Sequence, residues 1–310
     1  MARHLFSSGD LVADRRATYA RLLAEAGDFS DAAELMEQAL EQAPDWAAGW
    51  FRLAEYAEKS GRKEAAIAAL ETVLGLDPTD VFGAGLKLAL LGAAKTPAAP
   101  PARYVERLFD DYAGRFETAL VERLAYSVPE KLTALILSHA GRDAHFPVVT
   151  DLGCGTGLFG LPIRPHAGRL EGFDLSANML AKAAEKNVYD HLAQADLSLP
   201  AGESGLFGEE ARADLASAAD VLMYLGDLSE VFSSAARLVK PGGLLAFSVE
   251  DGGEGDVPVL RPSLRYAHPE RFIRRRTEEN GFTIFATARE TIRMDGGEPV
   301  HGLLFLARRP

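Results

Sequence analysis

Three acidic residues, Asp151, Asp174 and Asp196, lie 23 and 22 residues apart, each at the end of a short stretch that reads as a strand. Asp151 belongs to Phe146-Pro147-Val148-Val149-Thr150-Asp151-Leu152 and immediately precedes Gly153-Cys154-Gly155-Thr156-Gly157. Glycines at such a point let the backbone turn tightly and approach a ligand with no Cβ in the way, and the helix start beyond them offers free N–H groups. An acid ahead of the glycines suits a ligand bearing an ammonium group and repels a pyrophosphate. Asp174 ends Arg169-Leu170-Glu171-Gly172-Phe173-Asp174, where a carboxylate can take both hydroxyls of a ribose. Asp196 follows Ala193-Gln194-Ala195, where an acid can accept from the amino group of an adenine. The alternative for Asp196 is an acid that caps a helix or a turn.

The glycine segment fits two ligand classes. Gly155, Gly157 and Gly160 satisfy the G-x-G-x-x-G spacing of dinucleotide-binding loops, so an oxidoreductase using a nicotinamide nucleotide is one alternative. Asp151 argues the other way. After Asp174, the run Leu175-Ser176-Ala177-Asn178-Met179 reads as a helix start, with Met179 placed to cover an adenine. A fourth strand, Ala213 to Asp220, runs on toward Tyr224, and Lys240-Pro241-Gly242-Gly243 reads as a turn before a fifth strand through Glu250. A helix over His268 to Asn280 and two last strands, Phe282–Ala288 and Val300–Ala307, complete the pattern.

One acid per strand end, together with the Lys-Pro-Gly-Gly turn, closely resembles the class I S-adenosylmethionine-dependent methyltransferases over residues 103–310. The resemblance implies a Rossmann-like seven-stranded sheet, mostly parallel with an antiparallel last strand, and S-adenosyl-L-methionine as cofactor. It places Asp151, Gly153 and Gly155 at the methionine end, Asp174 at the ribose, and Met179, Asp196 and Leu197 at the adenine. Cys154, Leu175 and Asp220 stand beside them as further cofactor contacts. Among related methyltransferases a Tyr-Ala-x-x-Phe/Tyr helix precedes the core and covers the cofactor. Here that is Leu108 to Phe116, with Tyr112 and Arg115 closing over the methionine end. The strand-4 end faces the methyl group in this family, which makes Asp220 and Tyr224 the candidates for acceptor contact.

These elements need a scaffold. From about residue 146 strands alternate with helices, the grammar of a parallel sheet covered on both faces. Helices over residues 104–119 and 120–140 come before it. Ahead of residue 95 the grammar differs. Gly27, Ala32, Ala39 and Pro44 recur as Gly61, Ala66, Val73 and Pro78 at an offset of 34 residues. Each unit reads as two helices, about 15–26 with 30–42 and about 46–59 with 63–75. Alanines mark the close approaches and a proline ends each unit. Trp50, Leu53, Gly61, Ala66 and Pro78 make the second unit resemble a tetratricopeptide repeat, with residues 81–94 as a closing helix. The chain thus divides into a tetratricopeptide-repeat helical domain (1–95), a proline-bearing linker (96–102) and a methyltransferase domain (103–310). The combination resembles bacterial predicted methyltransferases that carry such repeats.

A net charge of -12 argues against broad contact with nucleic acid or an anionic membrane, and no segment has the apolar length of a membrane span. The first residues do not form a secretory signal, which makes the cytoplasm the expected compartment. Arg271, Arg274, Arg275 and Arg276 cluster with glutamates beside them and read as a solvated helix face. The single cysteine, Cys154, excludes an internal disulfide and reads as a small packing residue, and no His/Asp/Glu cluster has metal-ligand spacing.

Methyl transfer from a sulfonium needs donor and acceptor held in line, and a general base only where the nucleophile must lose a proton. Asp220, Tyr224, Glu250, Asp251, Tyr266, His268 and His301 are the groups near the expected site mouth. The acceptor is open between a small molecule and a protein, the repeats favouring a protein partner. A repeat scaffold whose core holds the cofactor with weak turnover is the remaining alternative.

Overall fold

The computed structural model describes residues 3–112, 126–206 and 210–310, the side chains of residues 3, 4, 111 and 112 excepted. Arg115 and Phe116 lie outside the described residues. The chain forms two compact units, Met1–Tyr104 and Val105–Pro310.

The first unit is helical: α1 (Arg3–Phe6), α2 (Leu11–Ala26), α3 (Phe29–Leu40), α4 (Ala47–Lys59), α5 (Lys63–Leu76) and α6 (Ala84–Leu90). Asp10 starts α2 by accepting from the N–H groups of Val12 and Ala13, both at 2.8 Å. Gly27 and Gly61, at φ +94° and +80°, carry the left-handed turns that end α2 and α4. The helices of each pair meet through small buried residues: Ala13, Ala17 and Ala20 of α2, Ala32 and Ala33 of α3, Ala66 and Ala69 of α5. The expected repeat boundaries hold to within a few residues, and the closing helix is shorter than expected.

The second unit begins within α7 (Ala102–Tyr112), followed by α8 (Val128–Ala140), so the helix expected from residue 120 begins at Val128 among the described residues. Its core is a mixed sheet of β1 (Phe146–Leu152), β2 (Ala167–Asp174), β3 (His191–Gln194), β4 (Ala213–Ala218), β5 (Val239–Asp251), β6 (Val259–Leu260), β7 (Tyr266–His268), β8 (Thr283–Asp295) and β9 (Glu298–Arg308). The parallel strands run in the order β3-β2-β1-β4-β5. β9 pairs antiparallel with β5, and β8 antiparallel with β9. Between the strands lie α9 (Gly160–Ile163), α10 (Ala177–Glu185), α11 (Ser229–Leu238) and α12 (Glu270–Glu279).

Side-chain alternation builds a core on each face. On one side Leu132 and Ile136 of α8 and Ile163 of α9 pack on Val149, Leu215, Ala246 and Leu306. On the other, Phe247 stacks on Phe305 at 5.1 Å and meets Phe232 of α11 at 5.2 Å. Helices on both faces favour apolar residues at the central positions of the parallel strands, among them Val149, Leu170 and Leu215.

The sheet has nine strands where seven were expected. The two additional strands are β6 and β7, a short antiparallel pair whose β7 also joins the carboxyl end of β5 at Glu250 and Asp251. A two-residue strand shows no sequence periodicity, so this pair has no signature to read. One consequence is that His268 lies in β7, and Pro269 stands before α12, which starts at Glu270. Lys240-Pro241-Gly242-Gly243 is not a turn ahead of β5 but a bulge within it: the register steps from Ala213↔Val239 to Leu215↔Leu244. The N–H of Gly242 is satisfied by the Arg309 carbonyl at 2.8 Å. The last two strands are longer than expected and form one hairpin across Gly296 and Gly297, at φ +57° and +89°. Paired left-handed residues match the twist of a two-residue hairpin turn.

Candidate active site

The carboxyl ends of parallel strands share one edge of the sheet, where ligands bind in open α/β folds. A cavity of about 760 Å³, its open mouth included, lies at that edge and is lined by residues from the ends of β1, β2 and β4, and by others from β8 and the β6–β7 turn.

Asp151, near the end of β1, is 1 % exposed yet lines the cavity. Its two oxygens accept from the Tyr189 hydroxyl at 2.7 Å and from Ser217 Oγ at 2.9 Å. Ser217 is its parallel partner in β4, so sheet register alone sets that contact. Burial pushes the Asp151 carboxyl up to about 6, with the two hydroxyl donors drawing it back.

The glycines that follow divide into two kinds. Gly153, at φ +70°, packs under Val221, where a Cβ would lie 2.3 Å from Val221 Cγ2. Gly155, at φ +54°, faces open space, and its N–H donates to Asp174 at 2.8 Å. Gly157 and Gly160 instead make room for the ring of Tyr189, which stands 2.8 and 2.7 Å from where their Cβ atoms would be; Gly172 does the same from β2, at 2.7 Å to Leu192 and 2.8 Å to Tyr189. Gly157 and Gly160 of the Gly155-Gly157-Gly160 spacing therefore answer to a packed tyrosine. Cys154 lines the cavity, and burial first, then the charge of Asp151, pushes its thiol well up and keeps it protonated.

Asp174, at the end of β2, accepts from the N–H of Gly155 and of Ser176, at 2.8 and 2.9 Å, and burial pushes it up to about 6 against those donors. Ser176 Oγ accepts from the Met179 N–H and donates to Asp110 at 2.5 Å, which fixes the end of α7 beside the start of α10. Phe109 of α7 lines the cavity and meets the Tyr224 ring edge-on at 5.0 Å. The described part of the helix expected to cover the cofactor thus reaches the site through Phe109 and Asp110. Tyr112 ends α7, and Arg115 lies outside the described residues.

Four expected contacts do not line this cavity: Leu175, Met179, Asp196 and Leu197. Met179 is fully buried. The Asp196 carboxylate folds back on its own turn and accepts from Ser198 N and Oγ, at 2.9 and 2.6 Å.

Asp220 sits just beyond β4 at φ +57°, a conformation that costs a non-glycine residue about 1 kcal/mol or more. Its N–H donates to Ser248 Oγ at 2.8 Å, and both carboxylate oxygens meet Arg293 Nη1 at 3.3 Å. Arg293, 3 % exposed, also pairs with Glu250 at the end of β5. Burial pushes Asp220 up to about 6, with Arg293 and then Arg265 pulling it back. Arg265 lines the same cavity with its guanidinium 5.9 Å from the centre of the Tyr224 ring. Tyr126 completes this side, its phenol pushed well up by burial and then by Asp220.

The remaining groups named from the sequence are placed otherwise. His268 is fully buried, bonds to the Leu225 carbonyl through Nε2 at 2.8 Å, and is held down at about 4 by burial. Tyr266 is buried and pushed up to about 12. Asp251 pairs with Arg289 at 3.0 Å, and His301 is exposed. Sequence reasoning missed Tyr189, Ser217, Tyr126, Arg265 and Arg293. Among the described residues no group of three or more His, Cys, Asp or Glu is placed to hold a metal.

The arrangement fits an adenosyl ligand carrying an ammonium group. Asp151 is a buried acid facing the cavity, Gly155 leaves space where a Cβ would stand, and Thr156 Oγ1 is buried with no partner among the described residues. Asp174 shares the cavity with them.

Comparison with known proteins agrees with this geometry. Residues 150–245 match the profile of a methyltransferase domain, and residues 2–81 that of the tetratricopeptide repeat. Malonyl-(acyl-carrier protein) O-methyltransferase of Salmonella typhimurium is 30% identical over 144 residues, 45% of this chain and 53% of the relative. Ubiquinone biosynthesis O-methyltransferase of Thiobacillus denitrificans is 31% identical over 100 residues, 32% of this chain and 43% of the relative. The chain thus spans about half the length of the curated relatives it matches. Among solved structures, the (4+2)-cyclase SpnF superimposes with a TM-score of 0.55 at 17% identity, covering 68% of this chain and 98% of its own. That likeness shows the fold, and a cyclase on it shows that the fold alone names no reaction.

Proposed function

We propose that this chain, which joins a class I S-adenosylmethionine-dependent methyltransferase domain to N-terminal tetratricopeptide repeats, moves the methyl group of S-adenosyl-L-methionine to an oxygen of its acceptor. The observation that carries the reading is the set of acids Asp151, Asp174 and Asp220, each from the end of a different parallel strand, around one cavity. When bound, the cofactor supplies an electrophilic methyl on a sulfonium. Asp151, oriented by Tyr189 and Ser217, holds the ammonium end. Asp174 accepts from the ribose hydroxyls while its other contacts fix the glycine loop. Phe109, Tyr126 and Tyr224 exclude water from the acceptor side, and Asp220 with Tyr224 contacts the acceptor. The protein's share of catalysis is alignment of the two reactants.

The two curated relatives named above are O-methyltransferases, which supports oxygen as the receiving atom. The tetratricopeptide repeats offer a face to a protein partner, which either delivers the acceptor or carries it. Among the described residues no helix is long and apolar enough to cross a membrane.

Calorimetry with S-adenosylhomocysteine tests the reading. Wild-type protein should bind it, and Asp174→Ala should weaken binding by about tenfold to a hundredfold, the loss expected for hydrogen bonds to a charged group. Binding of a nicotinamide nucleotide with no response to S-adenosylhomocysteine would replace it with the dinucleotide reading.

A further inference from the structure

One flank of α2 is apolar and open to solvent. Leu11, Val12, Tyr19 and Leu22 are 77, 50, 64 and 48% exposed. Leu11, Arg15, Tyr19 and Leu22 follow the i, i+4, i+8, i+11 spacing that sets side chains in one row along a helix, and Val12 stands beside them. This row is distinct from the buried face of α2, which is Ala13, Ala17 and Ala20. No other described helix or strand carries more than one exposed large apolar side chain. A contiguous apolar row of this kind marks a surface that something covers.

The charges around the row narrow down what covers it. The chain as a whole carries -12, so two copies repel through most of their surface. α2 does not share that bias: Arg15, Arg16 and Arg21 stand against Asp14 and Glu25. Four of these five are engaged within their own copy. Arg21 pairs with Glu25, Asp14 accepts from Ser8, and Arg16 donates to the Gln38 carbonyl at 2.6 Å. Arg15, in the middle of the apolar row, has no ion pair or hydrogen bond among the described residues. One turn further on stands Tyr19, the single aromatic residue of the helix.

A row with apolar ends, and with one cation and one aromatic ring on either side of its centre, complements itself when reversed. A two-fold axis at the level of Ala17, midway between Arg15 and Tyr19, sets Arg15 against the partner's Tyr19 and Val12 against the partner's Leu22. It also sets Leu11 against the partner's Leu23, a half-buried residue at the border of the row. Every such contact is made twice. We propose that the chain forms a homodimer in which two α2 helices pair antiparallel through this row. Each Arg15 guanidinium lies on the partner's Tyr19 ring, and the aliphatic ends bury one another. Parallel pairing would instead set Arg15 against the partner's Arg15. A helix of 16 residues spans about 24 Å, so the interface falls in the small class and association is concentration-dependent, with a Kd on the order of 10 µM. The pairing uses the repeat unit alone and goes beyond the reading of the cavity.

Sedimentation equilibrium of the full chain from about 1 to 200 µM tests the proposal, and a monomer–dimer equilibrium is the expected result. Tyr19→Arg places arginine against arginine and should weaken association at least about tenfold, with an unchanged circular dichroism spectrum because the residue is exposed. Adding Arg15→Tyr restores the cation and the ring with their sides exchanged, and the double variant should regain the dimer. Leu22→Gln is a second probe of the same row and should weaken association in the same sense. A wild-type chain that stays monomeric at about 200 µM overturns the proposal, as does a Tyr19→Arg variant that associates as tightly as wild type. A double variant that stays monomeric overturns the antiparallel pairing. Loss of the dimer in Phe285→Glu with its retention in Tyr19→Arg would place the contact on the edge strand β8 and overturn the role of α2.

Discussion

The Tyr189 hydroxyl donates to Asp151 across 2.7 Å from a ring seated where the Cβ atoms of Gly157, Gly160 and Gly172 would otherwise stand. Three glycines from two elements thus hold one tyrosine against the acid proposed to bind the cofactor's ammonium group. Tyr189→Phe keeps the ring and removes the donor. The Asp151 carboxyl, already pushed up to about 6, then rises further, because a donor to its charged form has gone. Binding of S-adenosylhomocysteine should weaken about tenfold near pH 6.5 and recover near pH 8.5, where the acid ionises regardless. Calorimetry at the two pH values checks this, and an equal loss at both would reject it.

Asp151 also couples stability to pH. Its folded pKa of about 6 lies above its ordinary value of 3.8, so the folded state holds the proton more tightly than the unfolded state does. Stability from this group is present below about pH 4 and is lost as the pH rises to about 6, by up to about 3 kcal/mol at 1.36 kcal/mol per unit. Asp151→Asn lacks that titration. Chemical denaturation of the ligand-free protein should therefore show wild type losing stability relative to the variant between about pH 4 and 7, while the variant binds S-adenosylhomocysteine more weakly. A constant difference across that range would mean that burial does not perturb this carboxyl.

Much of this arrangement was legible in the sequence because it is local. Asp151 and Gly153–Gly155 sit together on one strand and its loop, and Asp174 ends the next strand, so apolar runs with terminal acids place all of them. The 34-residue offset likewise exposes the helical repeats. What was not legible depends on distant pairing. Arg293 reaches Asp220 and Glu250 because β8 extends to Asp295, well past the apolar stretch that marked it. Arg265 reaches the cavity on the turn between two strands too short for any periodicity. Tyr189 lies in a loop whose importance comes from glycines as much as 32 residues earlier in the chain. Asp196 carries a signal of both kinds: its residue type suits a ligand, while one of its carboxylate oxygens accepts within its own turn.

Arg293 serves two buried acids at once, so its removal is more severe than loss of one ion pair. Arg293→Met keeps the length of the side chain but removes the cation that pairs directly with Asp220 and Glu250, leaving only the more distant Arg265 to offset their mutual repulsion. Destabilisation of about 3–5 kcal/mol is expected, the range for stranding a buried charge. Adding Glu250→Gln should recover part of it, because one of the two stranded charges is then absent. Denaturant midpoints of the single and double variants measure the coupling, and simple additivity would show that the two side chains do not interact.

Two helical glycines in the repeat unit should respond in opposite directions to the same substitution. Alanine is favoured over glycine inside a helix by about 1 kcal/mol, so space decides the sign. At Gly75, in α5, an added Cβ meets nothing within 4 Å, and the position is exposed. Gly75→Ala should stabilise by about 0.5–1 kcal/mol. At Gly49, in α4, the added Cβ would lie 2.4 Å from Trp46 Cε3 and 2.9 Å from a Leu40 methyl. Trp46 and Leu40 are both buried, so neither can swing aside without disturbing the packing of α3 on α4. Overpacking of this kind costs about 1–3 kcal/mol and outweighs the helical preference, so Gly49→Ala should destabilise. Thermal unfolding of the two variants reads both signs, and stabilisation by Gly49→Ala would mean that Trp46 holds its ring less firmly than its burial implies.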